Sequence, residues 1–347
     1  MRGSAQLLQA VPQGSAAKTL RRSQPSRNLA RVERYPPIEP FAHGLLDVGD
    51  GNRIYWETCG NPHGKPALVV HGGPGSGCGA GSRRYFDPEC YRVVLFDQRG
   101  CGRSTPSASD PSTDMSVNTT QHLLADMERL REHLKIDRWL LYGGSWGSTL
   151  ILAYAERHPM RVSEIVILGA TTTRRSEIDW LYRGVARFFP EEWARFRAVV
   201  DDDDVVVGYA RLMADKDKGV RERAAAAWLA WEDTVISLEP NGRPNAYSDK
   251  PPHDQLALVR ICTHYFSHAA WLEEGELLRQ APLLTGIPGA IIHGRLDLGS
   301  PVATAWELVH AWPGAELVVV RDSGHTGSDA MREAALAATE RFKQLSA

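Results

Sequence analysis

The chain has 347 residues, 43% hydrophobic and 24% charged, enough to bury a substantial core and in the range of an ordinary globular protein. A formal net charge of −2 does nothing to recommend a nucleic-acid partner, and no apolar run approaches the roughly 18 residues of a membrane span. The five cysteines (Cys59, Cys78, Cys90, Cys101 and Cys262) are odd in number and lack a C-x-x-C pair. That pattern argues against a disulfide framework or a structural zinc site and fits a reducing cytoplasm.

Residues 1–35 stand apart. Arg2, Lys18, Arg21, Arg22, Arg27, Arg31 and Arg34 precede or flank Glu33, the first acidic residue. The stretch reads as a disordered basic extension or an upstream start, with a transit peptide as the alternative; no apolar core of a secretory signal follows. From Tyr35 onward, short β-branched runs alternate with helical patterns, the mark of a mainly parallel sheet with helices on both faces. Strands are expected at Arg53–Cys59, Pro66–Val70 and Tyr91–Phe96. Apolar residues at Leu123, Leu124, Met127, Leu130 and Leu134 predict a helix over Thr119–Leu134. A strand at Arg138–Tyr142, a helix at Gly147–Arg157 and a strand at Glu164–Leu168 follow. Between about Thr172 and Ala281 the β pattern stops. That stretch holds Trp180, Trp193, Trp228, Trp231, Trp271 and an Ala-rich run at Ala224–Ala230, and reads as a helical insertion. Asp201–Asp204 is a solvated turn or helix start. Strands at Ala290–His293 and Glu316–Arg321 and a helix from Ser328 complete the chain.

The chemistry centres on Gly143-Gly-Ser145-Trp146-Gly147, a G-x-S-x-G match with a strand before it and a helix after it. A serine on that sharp turn is lifted clear of the sheet, and bulky neighbours would clash. Ser145 is the expected nucleophile. The loop His71-Gly72-Gly73-Pro74-Gly75 follows a buried strand and can present a backbone donor to a developing oxyanion. Gly73, with Gly72 as the second choice, and Trp146 are the expected donors. The loop lacks the lysine of a phosphate-binding motif. His325, in a loop past the last strand, is the expected base. His293, inside a strand, reads as a packed core residue, and His122, His133 and His158 as helix residues. Asp297, in the loop after Ala290–His293, is the expected acid in preference to Asp322, which shares the loop of His325. Such a triad uses no metal or organic cofactor. Asp97 to Ser104 (DQRGCGRS) reads as a loop bracing the site, with Asp97 and Arg99 as an ion pair.

These residues, with Tyr35–Pro40 (YPPIEP), Asp47–Gly51 (DVGDG) and Tyr55–Glu57 (YWE), resemble the proline iminopeptidases (prolyl aminopeptidases). These are α/β-hydrolases with a helical cap. The resemblance implies a core over residues 36–171 and 281–347, a cap over 172–280, and a triad of Ser145, Asp297 and His325. It implies removal of N-terminal proline from a peptide, with cap carboxylates binding the free α-amino group. Trp231-Glu232 matches one of them. The second lies in a family segment R-I-E-N-H-Y-F, which here reads Arg260–Phe266 (RICTHYF), so Cys262 stands where that acid is. Thr171-Thr172-Thr173 replaces an apolar stretch and Ser300 a cysteine in the proline pocket, while Tyr182 keeps an aromatic. The catalytic half thus carries over whole and the substrate-binding half (Glu232, Tyr182, Thr171, Cys262, Ser300) in part. The expected partner is a small peptide, or, in the alternative reading, another small amide or ester. A non-catalytic binding protein on the same scaffold is the third reading, opposed by the intact set of reactive residues. Nothing in the sequence specifies an oligomer.

Overall fold

The computed structural model describes residues 21–22, 34–238 and 244–344. The basic extension therefore lies mostly outside the described residues. Within it, Arg21–Arg22 forms a two-residue strand, β1, and Tyr35 donates its backbone N–H to Arg84.

Eight further strands follow: β2 (Pro40–Gly49), β3 (Asn52–Gly60), β4 (Lys65–Val70), β5 (Tyr91–Phe96), β6 (Trp139–Ser145), β7 (Val162–Ala170), β8 (Gly289–Gly294) and β9 (Ala315–Val320). They form one sheet in the order β1-β9-β8-β7-β6-β4-β5-β3-β2. Pairing is parallel except where β3 meets β2 and β5. The central strands carry continuous apolar runs such as Ala67–Val70 and Val93–Phe96, as expected of strands covered on both faces. Strand β2 has no counterpart in the sequence reading. It is an edge strand with alternating exposure, and Phe41, His43, Leu45 and Asp47 all face outward. Lone apolar residues facing water hide the period that would have revealed it.

Ten helices are described: α1 (Thr120–His133), α2 (Trp146–Arg157), α3 (Arg175–Tyr182), α4 (Pro190–Arg197), α5 (Val205–Met213), α6 (Lys218–Ile236), α7 (Pro252–Ser267), α8 (Glu276–Gln280), α9 (Val302–Ala311) and α10 (Asp329–Lys343). Leu123 and Leu130 of α1, Leu150 and Ile151 of α2 and Leu308 of α9 share one apolar cluster with one face of the sheet. Met331, Ala335 and Phe342 of α10 pack with the opposite face. Helices α3–α8 all lie between β7 and β8. Residues of α3–α7 build a separate cluster around Tyr182, Phe196, Tyr209, Trp228 and Trp231. In it the rings of Phe196 and Tyr209 stack at 4.6 Å and those of Tyr182 and Trp228 lie 4.5 Å apart. Asp204, last of the acidic run, caps α5 by accepting from the N–H groups of Val206 and Val207. Among the described residues, no helix is long and apolar enough to cross a membrane.

Candidate active site

Strand β6 runs directly into α2, and Ser145 stands at the junction with φ 53° and ψ −131°. A positive φ is uncommon for a residue with a side chain and marks stored strain. The glycines of the motif are needed for room. A Cβ on Gly143 or Gly147 would lie 2.3 or 2.4 Å from the Val70 carbonyl oxygen on β4, and one on Gly144 2.3 Å from that of Leu168 on β7. The turn is wedged between both neighbouring strands.

Two loops from the same edge of the sheet bring up the partners. His325, after β9, places Nε2 3.2 Å from Ser145 Oγ. Its Nδ1 lies 2.9 Å from Oδ2 and 3.1 Å from Oδ1 of Asp297, in the loop after β8. Asp297 is buried and also accepts the Ser300 N–H at 2.7 Å. Burial alone would raise its carboxyl, but His325, His293 and that N–H together hold it below the ordinary carboxylate range. Asp322 is exposed. His293 is in the core, as its strand position implied, and has a polar duty there. Its Nδ1 accepts the Ala170 N–H at 3.1 Å, so Nε2 carries the proton and donates to the Ser300 carbonyl at 2.7 Å. Burial lowers its pKa and favours this neutral form. His293 thereby ties the end of β7 to the loop that carries the acid.

The glycine-rich loop faces Ser145 from the other side. Gly73, but not Gly72, lines the cavity in front of Ser145 together with Trp146. The Trp146 N–H belongs to the first turn of α2, where no intrahelical acceptor exists. A side-chain relay anchors this loop. The Trp146 indole donates to Gln98 Oε1 at 3.0 Å, Gln98 Nε2 donates to the His71 carbonyl at 2.9 Å, and His71 Nε2 accepts the Gln98 N–H at 3.0 Å. Gln98 lies in the segment read as a brace, but the ion pair expected there is absent. Asp97 pairs with Arg103 at 2.7 Å, while Arg99 turns away to Asp126 at 2.7 Å and Asp50 at 3.1 Å. Residues two apart around the glutamine leave the strand toward different neighbours.

Glu232 of α6 lines the same cavity as Ser145 and His325, as do Tyr182, Thr171 and Ser300. Glu232 Oε1 accepts hydrogen bonds from the Tyr182 hydroxyl and from the Trp228 indole, the latter at 3.0 Å. Burial pushes its carboxyl up to about 7, and those two bonds only partly offset this. Cys262 differs from the other expected substrate contacts. It is fully buried and does not line the cavity; its thiol donates to the Pro74 carbonyl at 3.3 Å. The short side chain ends against the glycine-rich loop.

Several lining residues escaped the sequence reading, Tyr247, Phe266 and Glu177 among them. Tyr247 reaches the cavity from the loop before α7, its N–H held by Asp233 at 2.8 Å. Phe266 closes the end of α7. Glu177 accepts from the Thr171 hydroxyl, from the hydroxyl and N–H of Thr172 and from the Arg174 N–H, so the threonine run is wound around one carboxylate. The Glu three residues after Arg174, at capping spacing, was the available signal for it.

Residues 65–329 match the family model for the alpha/beta hydrolase fold. A probable proline iminopeptidase of Streptomyces coelicolor is 51% identical over 316 residues, covering 89% of this chain and 97% of its own length. The chain belongs to the proline iminopeptidase family of α/β-hydrolases. The proline iminopeptidase of Xylella fastidiosa, another relative, is 44% identical over 89% of this chain and 98% of its own. Among solved structures, the proline iminopeptidase of Mycobacterium smegmatis superposes with a TM-score of 0.60 at 20% identity, covering 87% of this chain and 97% of that one, a likeness of fold.

Proposed function

We propose that this chain is a serine aminopeptidase that releases N-terminal proline from peptides through an acyl-enzyme. The observation that carries the reading is a buried carboxylate, Glu232, lining the same cavity as the Ser145–His325 pair. A serine esterase has no use for a buried acid there; an enzyme that recognises a substrate's terminal ammonium does. Family membership points the same way.

In the proposed mechanism His325 Nε2 takes the Ser145 proton as Oγ bonds to the carbonyl carbon of the first residue. The oxygen, now carrying the charge, meets the N–H groups of Gly73 and Trp146. The C–N bond then breaks, and His325 returns the proton to the leaving nitrogen. Water, deprotonated by the same imidazole, bonds to the acyl carbon; the C–Oγ bond breaks, His325 returns the proton to Ser145 Oγ, and the amino acid is freed. Asp297 holds the imidazole with Nδ1 protonated and balances its transient charge. Helices α3–α7 act as the cap, presenting Glu232 to the ammonium. Among the described residues lining the cavity, with Cys262 turned to Pro74 and Glu177 committed to the threonine run and Arg174, Glu232 is the acid left for that task.

The test is kcat/KM for a prolyl amide with a free amine against the same amide acetylated at nitrogen. The free amine is expected to be preferred by about 30-fold or more, matching the roughly 2–5 kcal/mol associated with a desolvated charge pair. Equal values, with ready turnover of a simple uncharged ester, would instead assign the chain to a general amide or ester hydrolase.

A further inference from the structure

Among the described residues, two cavities reach the reactive pair, and their linings have Ser145 and His325 alone in common. The first, under the inserted helices, is lined by Glu232 and Glu177 and by no lysine or arginine. The second opens between the loop of His325, the start of α10 and Tyr85; it is lined by Arg34 and Arg332 and by no aspartate or glutamate. We infer that the substrate is a short peptide with both termini free, its ammonium in the first cavity and the terminal carboxylate of its leaving portion on Arg34 and Arg332 in the second. This inference rests on the aminopeptidase reading above and specifies its substrate class.

The direction of the reaction supports the assignment. His325 must hand its proton to the leaving nitrogen, so the departing peptide lies against His325 on the side away from the group held by Glu232. The second cavity is the space that touches His325 without entering the ammonium site. Its charge is also available. Among the described residues Arg34 has no ion-pair partner, and its guanidinium lies 6.0 Å from the centre of the Tyr85 ring. Arg332 pairs with Asp329 near the surface, with its side chain 43% exposed, so its planar fork keeps donors free for a second carboxylate. A field that is negative on the amine side of the scissile bond and positive on the other orients a zwitterionic peptide in one sense only. A reversed peptide would set ammonium against arginine and carboxylate against Glu232. The same field gives no advantage to the inside of a long chain, which carries no carboxylate one or two residues after the proline.

The experiment measures kcat/KM of the full chain for prolyl-alanine as free acid, for its C-terminal amide and for prolyl p-nitroanilide. The free acid is expected to exceed the amide by about 10-fold or more, a preference that weakens as salt is raised. Arg34→Gln and Arg332→Gln should each lower the free-acid value several-fold more than the anilide value, and together should abolish the acid preference. The anilide serves as the check on folding. Equal values for acid and amide in the unaltered enzyme, or an acid preference surviving both substitutions, overturn the inference while leaving the aminopeptidase reading intact. Failure to hydrolyse any of the three overturns both. Preference for the acid with no preference for a free over an acetylated amine overturns both, because the ammonium then has no place in the first cavity.

Discussion

On the sheet side of the cavity the working groups are set by backbone. Ser145 is held by a strand-to-helix turn too tight for any Cβ at its flanking glycines, and a glycine-rich loop and a helix start line the cavity beside it. On the inserted side, Glu232 is set by side chains. The Tyr182 hydroxyl and Trp228 indole aim it, and the aromatic cluster of α3–α7 aims them. The difference explains why one half of the site is rigid in chemistry and the other adaptable. Backbone placement needs particular glycines at particular steps and tolerates little change. Side-chain placement needs only some donor in reach, so the replacements that the family resemblance implies at Cys262 and Ser300 would leave the scaffold intact.

The hardest way to break the sheet side is to remove its reactive atom. Ser145→Ala should cut turnover by about 10⁴-fold or more while leaving the melting temperature nearly unchanged, read by steady-state kinetics and calorimetry. Activity retained in this variant would rule out the nucleophile. Asp297→Asn should follow with a loss of roughly 10⁴-fold in kcat, because the imidazole loses its fixed tautomer. Asp322→Asn, at an exposed position on the His325 loop, should be within a few-fold of the unaltered enzyme. A reversal of the two effects would exchange their roles.

The same contrast governs what could be read before any coordinates. The turn at Ser145, the glycine-rich loop and the His325 loop were legible because backbone demands are written in short local words: G-x-S-x-G, H-G-G-P-G, a histidine past the last strand. Strand β2 was not, since Phe41 and Leu45 point to water and carry no sign of burial. Nor were Tyr247 and Glu177, whose roles depend on Asp233 and on threonines reached through the fold. The ion pair expected between Asp97 and Arg99 does not form for a related reason: nearness in sequence is not nearness of side chains, and each charge has a better partner in Arg103 or Asp126. The neighbours of Cys262 in its segment do not show where its short side chain ends, which depends on the Pro74 carbonyl of the glycine-rich loop.

On the inserted side the expected losses are smaller and depend on the substrate. Glu232→Gln should cost prolyl amides 2–5 kcal/mol, about 30-fold to a few thousandfold in kcat/KM, and leave neutral esters almost unaffected. A pH signature accompanies it. With its carboxyl near 7 in the empty enzyme, Glu232 is charged above that pH and neutral below, so KM for a free-amine substrate should rise as pH falls through about 7. The Gln variant, already neutral, should show a KM with no such rise. A rise of equal size in both would separate Glu232 from amine binding.

The smallest expected effect lies at the seam between the two regions, where a carboxyl has neither kind of support. Glu156, near the end of α2, is 5% exposed, and both of its carboxyl oxygens are buried without a hydrogen-bond partner. Helix α8 of the insertion packs against α2 here and brings Glu276, which forms a 3.9 Å pair with Arg157. Burial first, and the Glu276 charge second, push the Glu156 carboxyl up to about 9. The folded protein therefore keeps this proton at neutral pH, while the unfolded chain releases it near the ordinary value of about 4.3. The sign follows from that order. Glu156 favours the folded state fully below pH 4, and this contribution is lost progressively as pH rises toward 9. At pH 7 the loss is on the order of 3 kcal/mol. Glu156→Gln keeps the shape and removes the titration, so its melting temperature should match that of the unaltered enzyme near pH 4.5 and exceed it by several degrees at pH 8. Turnover of prolyl amides should not change, since Glu156 does not line the cavity. A difference in melting temperature that stays constant from pH 4.5 to 9 would mean that Glu156 is ionised in the folded protein and that water or a cation reaches the seam.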